Sequence, residues 1–163
     1  MTEKVVVLTQ AEFKNIPGYS TTKSASHFRG LIIGQLEEMG ATGYGFDEGD
    51  VVWKMKFDVA DGTKRVISFR IHPSIITVST KRRGHATENV RKENVTWKVI
   101  YELIRYKVAA IKVGVLSAQN EFMPNISMLN NEGQETTLGQ MVEVLVEQDR
   151  LNNIVQLEDK RRE

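Results

Sequence analysis

The sequence contains no cysteine among its 163 residues. This excludes disulfide bonds, thiolate metal sites and thiol catalysis, and it suits a reducing interior. An excess of charge of one sign is also lacking, because 22 basic residues stand against 21 acidic ones and leave a formal net charge of +1. No global field therefore attracts nucleic acid or anionic lipid, and any electrostatic targeting must come from local clusters of charge.

Long apolar runs are absent as well. The apolar stretch near the N-terminus, Val5-Val6-Val7-Leu8, is too short for a signal peptide or a membrane span. We therefore expect a cytoplasmic protein with no membrane partner. The length predicts a single domain over residues 1–163, in which 146–163 forms a tail or a dimerisation segment.

Motifs for metal binding and catalysis are missing too. His27, His72 and His85 are far apart, and none has a second histidine three or four residues on, so no metal site is predicted. The segment from Gly43 to Gly49 is not a dinucleotide-binding loop, because Glu48 stands where the third glycine belongs, and we interpret it as a turn-rich connector. No nucleophile motif is present. We expect no cofactor and no enzymatic activity, and the sequence identifies no small-molecule substrate.

What the sequence does contain is one long helical pattern, from Asn94 to Met123. Two apolar rows recur at steps of three and four residues on either side of one narrow polar row. The rows are Trp97-Tyr101-Ile104-Val108-Ile111 and Val99-Leu103-Tyr106-Ala110-Val113. A helix that is apolar over most of its circumference needs cover on more than one side, and we expect the rest of the chain to supply it. Whether the helix continues to Met123 or breaks at Gly114 and restarts at Ser117 stays open.

Lys107 lies opposite the polar row of this helix, among apolar residues. One interpretation is a stem whose ammonium group reaches solvent at an edge, which is the more common arrangement. The other is a buried charge paired with an acid or with a ligand phosphate.

The clearest β pattern is a hairpin, in which two runs of alternating apolar residues flank Asp61-Gly62. A three-residue loop, 60–62, sets Met55 opposite Ile67 and Trp53 opposite Phe69, whereas a two-residue loop would mix the two faces. The three-residue loop also places Gly62 in the left-handed conformation. A further strand is predicted over 76–80.

Helix boundaries are marked by capping residues. Ser24 is an N-cap and Gly40 a C-cap of a helix whose interior glycines, Gly30 and Gly34, we interpret as allowing close helix–sheet packing. Thr137 and Gln140 form a capping box at the start of a last helix. The predicted fold class is α+β, with a small antiparallel sheet, made of the hairpin and one or two further strands, packed against a long central helix and two shorter helices.

Basic residues cluster at two places. The outer face of the hairpin carries Lys54, Lys56, Lys64 and Arg70 against a single acid, Asp58. The segment 81–92 is predicted as a loop beside this face, and it carries five basic residues, Lys81, Arg82, Arg83, Arg91 and Lys92. Together they would form a sequence-tolerant nucleic-acid surface. The neutral net charge and the absence of aromatic residues on this face weigh against that function.

Several structural motifs also carry a resemblance to a known family. They are Ser24 opening a helix that ends at Met39-Gly40-Ala41, Lys107 seven residues before Gly114, Glu121-Phe122-Met123-Pro124, and Gly133 followed by Thr137-Leu138-Gly139-Gln140. Over residues 20–142 the chain resembles an uncharacterised family of small proteins encoded by bacteriophages and prophages. It departs from that family at 129–136, which is longer than the family's short turn. The resemblance implies a mobile-element protein and brings no site residues with it.

Two functions follow as expectations. The first is a non-enzymatic, phage-type accessory protein that binds nucleic acid through the basic hairpin face and the 81–92 loop. The alternative is a protein–protein adaptor or inhibitor that acts as a homodimer through the long helix and the C-terminal tail.

Overall fold

The computed structural model describes residues 5–58, 62–80, 88–130 and 132–159, with the backbone alone for 119 and 149–159. In chain order, the helices are α1 (Gln10–Lys14), α2 (Ala25–Glu38), α3 (Glu93–Lys112), α4 (Ala118–Phe122) and α5 (Leu138–Asp159), with a 3-10 turn at Met123–Asn125. The strands are β1 (Val5–Thr9), β2 (Gly43–Asp47), β3 (Asp50–Asp58), β4 (Lys64–Ile71), β5 (Ile75–Thr80), β6 (Glu88–Arg91), β7 (Ser127–Leu129) and β8 (Glu135–Thr137).

The predicted hairpin is the centre of a three-stranded antiparallel sheet, in the order β2-β3-β4. Its register is the predicted one, with Trp53 opposite Phe69 and Met55 opposite Ile67. Gly62 has the expected positive φ, at 79°. A one-residue slip would have turned the apolar residues to the outer face, and burying them therefore selects this register.

The segment from Gly43 to Asp47 was expected to be a connector, and that expectation is wrong, because it forms the edge strand β2. Asp47 pairs with Asp50 across a two-residue turn. Glu48 and Gly49 have φ values of 47° and 93°. Turns with positive φ at both central positions match the right-handed twist of the flanking strands, and this brings β2 directly against β3.

Helices α2 and α3 cover the inner face of this sheet, which confirms the predicted α+β class. Trp53 stacks on Phe69 with ring centroids 5.2 Å apart, and Phe122 from α4 lies edge-on to Trp53 at the same distance. From the helices, the core receives Phe28, Ile32, Leu36, Trp97, Ile104 and Val108. The outer face of the sheet, with opposite strand parity, carries mostly polar residues together with Val52 and Val66.

A second sheet has the order β1-β5-β6. Strand β1 runs parallel to β5, and β6 runs antiparallel to it with Val90 opposite Val78. The segment 81–92 was expected to be a loop beside the hairpin, but residues 88–91 form a strand of this second sheet. The physical reason is that Ile76 and Val78 are buried in a separate cluster with Phe13 and Val95.

The caps of helix α2 are the predicted ones, but the glycines inside the helix do not allow the close packing that was predicted for them. The Ser24 hydroxyl accepts the His27 N–H at 3.2 Å, and Gly40 ends the helix with a φ of 88°. A Cβ atom added at Gly30 or Gly34 would meet nothing within 4 Å. The expected close approach of the sheet to these glycines is therefore wrong, because the face that packs is the one carrying Phe28, Ile32 and Leu36.

The long helix breaks at Gly114, where φ is 75°. A short helix restarts after Ser117, whose hydroxyl accepts the Asn120 N–H at 3.2 Å. Glycine tolerates the left-handed conformation that ends α3, and this settles the alternative in favour of two helices. In the described part of the chain, no helix is both long enough and apolar enough to cross a membrane.

Only one apolar row of α3 is covered. Trp97, Ile104 and Val108 of the first row are at most 1% exposed. The second row lies open, with Leu103 44% and Tyr106 66% exposed. The expectation that the chain covers this helix on more than one side is therefore wrong, because the sheet and α2 pack against the same side.

The last helix begins at the predicted capping box. The Thr137 N–H donates to Gln140 Oε1 at 2.9 Å, and the Gln140 N–H donates to Thr137 Oγ1 at 3.3 Å. Gly139 lies against Pro124, where an added Cβ would stand 3.0 Å from the proline carbonyl oxygen. The start of α5 packs on the body, and from Val142 to Gln148 every side chain is exposed.

Candidate functional site

The basic residues predicted on the outer sheet face divide into three groups. Lys54 and Lys56 are exposed and have no hydrogen-bond or ion-pair partner among the described residues. Lys64 Nζ lies 3.7 Å from Asp58 Oδ1, and both side chains are exposed, so this pair contributes little to stability. Arg70 is the third case and behaves differently.

Arg70 was predicted on the exposed basic surface, but it is 7% exposed and bound by carboxylates. Its Nη1–H donates to Asp50 Oδ2 at 2.9 Å, and its Nη2–H donates to Asp47 Oδ2 at 2.8 Å and to Glu135 Oε2. The guanidinium is therefore occupied, and Arg70 does not present its charge to a phosphate. The prediction that Arg70 is exposed is therefore wrong. The Glu48–Gly49 turn places Asp47 and Asp50 beside its guanidinium, and strand β8 places Glu135 there.

We refer to Asp47, Asp50, Arg70 and Glu135 as the carboxylate cluster. Burial pulls the pKa of Arg70 down, but its hydrogen bonds to Asp50 and Asp47 and the negative charge of Glu135 more than offset this effect, so the pKa is raised. His72 adjoins the cluster, with Nδ1 2.8 Å from Asp50 Oδ2. Three carboxylates surround the one guanidinium, which leaves an excess of negative charge.

The second basic group is only partly described. Lys81, Arg82 and Arg83 lie outside the described residues. Arg91 Nη2 stands 2.7 Å from Glu93 Oε1, and Lys92 Nζ lies 5.8 Å from the centroid of the Phe13 ring. Strand β5, which leads into the 81–92 segment, belongs to the second sheet and not to the sheet of Lys54 and Lys56. The position of β5 therefore gives no support to a single basic surface made of both groups.

Lys107 is a half-buried charge paired with an acid. Its ammonium donates to the Glu121 carbonyl oxygen at 2.8 Å and to Glu121 Oε2 at 3.1 Å, and it lies 5.2 Å from the Phe122 ring centroid. The contacts tie α3 to α4. Lys107 therefore has a structural role, in which its ammonium is paired with an acid while 24% of its side chain stays exposed.

A cleft of about 330 Å³ lies on the outer face of the β2-β3-β4 sheet. Its floor includes the backbone of Gly43 and Gly45, and three members of the carboxylate cluster, Asp47, Arg70 and Glu135, line one end. Lys54 and Ser68, two residues further along the strands, line the other end. The cleft therefore has opposite charges at its two ends.

A groove of about 300 Å³ runs along the open row of α3, between Pro17-Gly18 and the side chains of Val99 and Tyr106. Arg105 borders it, and its Nη2 lies 2.8 Å from Glu102 Oε2. Hydrogen bonding to Tyr106 and the charge of Glu102 raise the pKa of Arg105. The groove thus combines exposed apolar surface with a charged rim made of Lys98, Glu102 and Arg105.

No group of three or more histidine or acidic side chains suited to a metal ion occurs among the described residues. Comparison with protein-family models finds no match, and neither curated proteins nor solved structures match the sequence.

Sequence reasoning missed the carboxylate cluster and the cleft. Asp47 and Asp50 on either side of a turn were a visible signal for half of the cluster, whereas Glu135 lies 65 residues from Arg70 and gave none.

Proposed function

We propose that this chain is a non-enzymatic, phage-type adaptor or inhibitor that acts in the cytoplasm as a homodimer, through α3 and α5. The observation that carries the proposal is the open apolar row of α3, in which Val99, Leu103, Tyr106 and Val113 are 37–74% exposed. A row of apolar side chains at helical spacing, left open beside a groove, is typical of a protein–protein contact. The absence of cysteine and the resemblance of residues 20–142 support the cytoplasmic, phage-type assignment.

Helix α5 supplies the surface that would cover this row. Val142, Val144, Leu145 and Val146 are 49–62% exposed, directly after the start of the helix, which packs on the body. A helix in water gains most of its stability from packing an apolar face against other parts of a protein. Packing these exposed residues of α5 against a partner would therefore stabilise the helix. Within one chain the open row and residues 142–148 of α5 stay exposed, and a second copy would cover both.

The two surfaces match in length and charge. The open row from Val99 to Val113 is about 21 Å long, and α5 from Val142 to its end is about 26 Å long, at 1.5 Å per residue. Helix α3 carries four basic and two acidic residues, whereas 138–148 carries two acidic residues and no basic one. In the dimer, α5 of each copy lies on α3 of the other, as a two-fold axis allows.

Disulfide trapping tests this arrangement, because the chain has no cysteine of its own. Leu103→Cys and Leu145→Cys are made in separate chains, mixed and oxidised. We expect a cross-linked dimer containing one chain of each variant, since the two positions face each other across the contact. Non-reducing electrophoresis and mass spectrometry of the band identify its composition.

A mixture of Leu103→Cys with Lys56→Cys is the matched control, since Lys56 is equally exposed but lies on the outer sheet face, and it should cross-link far less. Light scattering that shows only monomer at tens of micromolar protein would contradict the homodimer. Efficient cross-linking of Leu103→Cys chains to one another would contradict the pairing of α5 with α3 and leave the dimer intact.

Nucleic-acid binding is the second candidate. It is favoured by Lys54 and Lys56, which stand exposed on one sheet face without acidic partners among the described residues. With these two lysines alone on phosphates, log affinity should fall against log salt with a slope of about −1.4 to −1.8, using about 0.7–0.9 per phosphate. Replacing Lys81, Arg82 and Arg83 by alanine should flatten the slope only if that segment also contacts the nucleic acid. Fluorescence anisotropy at 50 mM salt measures this, and no binding below about 100 µM would refute it.

A further inference from the structure

The apolar row by which α3 packs on the core continues beyond the end of that helix. The row within 97–111 is followed, at the same alternating steps of four and three residues, by Val115, Ala118 and Phe122. Apolar residues sustained at this spacing predict a single helix. In the structure, Gly114 instead turns the chain with a φ of 75°, and Phe122 reaches the core from the separate helix α4. The same sequence therefore fits two conformations of this segment, one broken and one continuous.

The break is held by the backbone of a few neighbouring residues. The N–H of Gly114 donates to the Ile111 carbonyl oxygen at 3.0 Å, and the N–H of Val115 donates to the Ala110 carbonyl oxygen at 3.0 Å. A helix end of this kind frequently includes an apolar contact between the residue after the glycine and the last helical turn. Here Val115 is 73% exposed, and every residue of the segment 113–117, which we call the hinge, is exposed. Side-chain packing therefore contributes little to the conformation of the hinge.

The C-terminal arm, which runs from the start of α4 to the end of α5, binds the part of the chain before the hinge through contacts that a second copy can supply. Phe122 is 0% exposed and lies edge-on to Trp53. Glu121 accepts hydrogen bonds from the ammonium group of Lys107, and strand β7 lies against β4. Because a second copy offers identical partners, an arm that crosses to it would form all of these contacts again.

We propose that the hinge opens and that two copies of the chain exchange their C-terminal arms. In the open form, α3 and α4 merge into one helix from Glu93 to Phe122, and the ring of Phe122 enters the core of the second copy. The merged helix extends about 15 Å past Lys112, at 1.5 Å per residue, which moves Phe122 away from its own core. The exchange does not use the open row of α3, so it is distinct from the contact between α3 and α5 proposed above.

Gly114 sets the balance between the two forms. Glycine is the residue that best tolerates the left-handed conformation of the closed hinge, and it is unfavourable inside the merged helix. Gly114→Ala reverses both preferences, and a Cβ atom at this position would meet nothing within 4 Å, so the substitution introduces no clash. Since each dimer contains two hinges, we expect the dissociation constant of the dimer to fall about a hundredfold or more. Sedimentation of chains refolded from urea at a series of concentrations measures it.

Isotope mixing identifies the exchange itself. Unlabelled and ¹⁵N-labelled chains are unfolded together, refolded at high concentration and treated with a carbodiimide, which joins Lys107 to Glu121 because their charged atoms lie 3.1 Å apart. Mass spectrometry of the joined peptide shows only fully light and fully heavy forms when the pair lies within one chain. Exchanged arms add mixed forms, and we expect these in wild-type dimers and as roughly half of the joined peptide in Gly114→Ala, as random pairing of equal amounts requires.

Gly40→Ala is the matched control, because Gly40 also combines a positive φ with open space at its Cβ position but ends α2, away from the hinge. It should leave the proportion of mixed forms at the wild-type level. Adding Leu103→Asp to Gly114→Ala places a charge in the open row of α3, and it should keep the mixed forms even if it removes the contact between α3 and α5. The proposal is overturned if mixed forms are absent from both the wild type and Gly114→Ala, or if Gly114→Ala dimerises no more tightly than the wild type.

Discussion

Replacing Arg70 by methionine is expected to lower the free energy of unfolding by about 3 kcal/mol or more. The substitution keeps much of the side-chain volume but removes the cation that three carboxylates share. Asp50 is 8% exposed and would remain buried with His72 as its neighbour. Breaking a buried ion pair on one side costs about 3–5 kcal/mol, because the remaining charge has no compensation. Urea denaturation of the wild type and the variant measures the difference.

Arg65→Met is the matched control, because Arg65 lies on the same strand but is exposed, and it should change stability by no more than about 0.5 kcal/mol. Adding Asp50→Asn to Arg70→Met should recover part of the loss, since it removes the most buried of the carboxylates. A loss below about 1 kcal/mol, or no recovery in the double variant, would mean that the cluster is solvated and its charges are not coupled.

Phe122→Ala is expected to cost about 3–5 kcal/mol, the range for removing a buried phenylalanine side chain. Phe122 is 0% exposed and lies edge-on to Trp53 and Phe69, with centroids 5.2 and 6.3 Å away. Its helix α4 has only five residues and is not stable by itself. We therefore expect hydrogen exchange to show reduced protection from Ser117 through β8, in addition to a lower urea midpoint.

Met123→Ala serves as the comparison for Phe122→Ala, because Met123 is the next residue and is 41% exposed. It should cost well under half as much and leave the protection of β7 and β8 near the wild-type level. Equal losses for the two variants would show that the turn geometry holds this part of the chain in place, and not the packing of the Phe122 ring.

The local features of the fold were predictable because short-range chemistry determines them. The pairing of Trp53 with Phe69, the N-cap at Ser24, the C-cap at Gly40 and the Thr137 capping box were expected and are present, whereas the break at Gly114 with a restart at Ser117 was one of two alternatives. Each depends on residues that are near in sequence or joined by one turn. Alternation, spacing and cap chemistry are therefore sufficient to place them.

The candidate sites were not predictable to the same degree. The sequence pattern placed Lys54, Lys56 and Arg70 on one face, and strand parity does put them there. It did not reveal that Arg70 would be buried under Asp47, Asp50 and Glu135. Which charges a face presents depends on segments that fold over it, and β8 comes from a part of the chain 65 residues away.

The sequence by itself determined the α+β class, the hairpin register and the two apolar rows of α3. Only the tertiary structure decided that one row is buried while the row of Leu103 and Tyr106 stays open, and that β5 joins β1 and β6 in a separate sheet. The physical reason is that the spacing of apolar residues shows which of them share a helix face. Whether another segment packs against that face depends on contacts between residues far apart in the sequence. The packing of α2 and the sheet on the same side of α3 could not be read from either row.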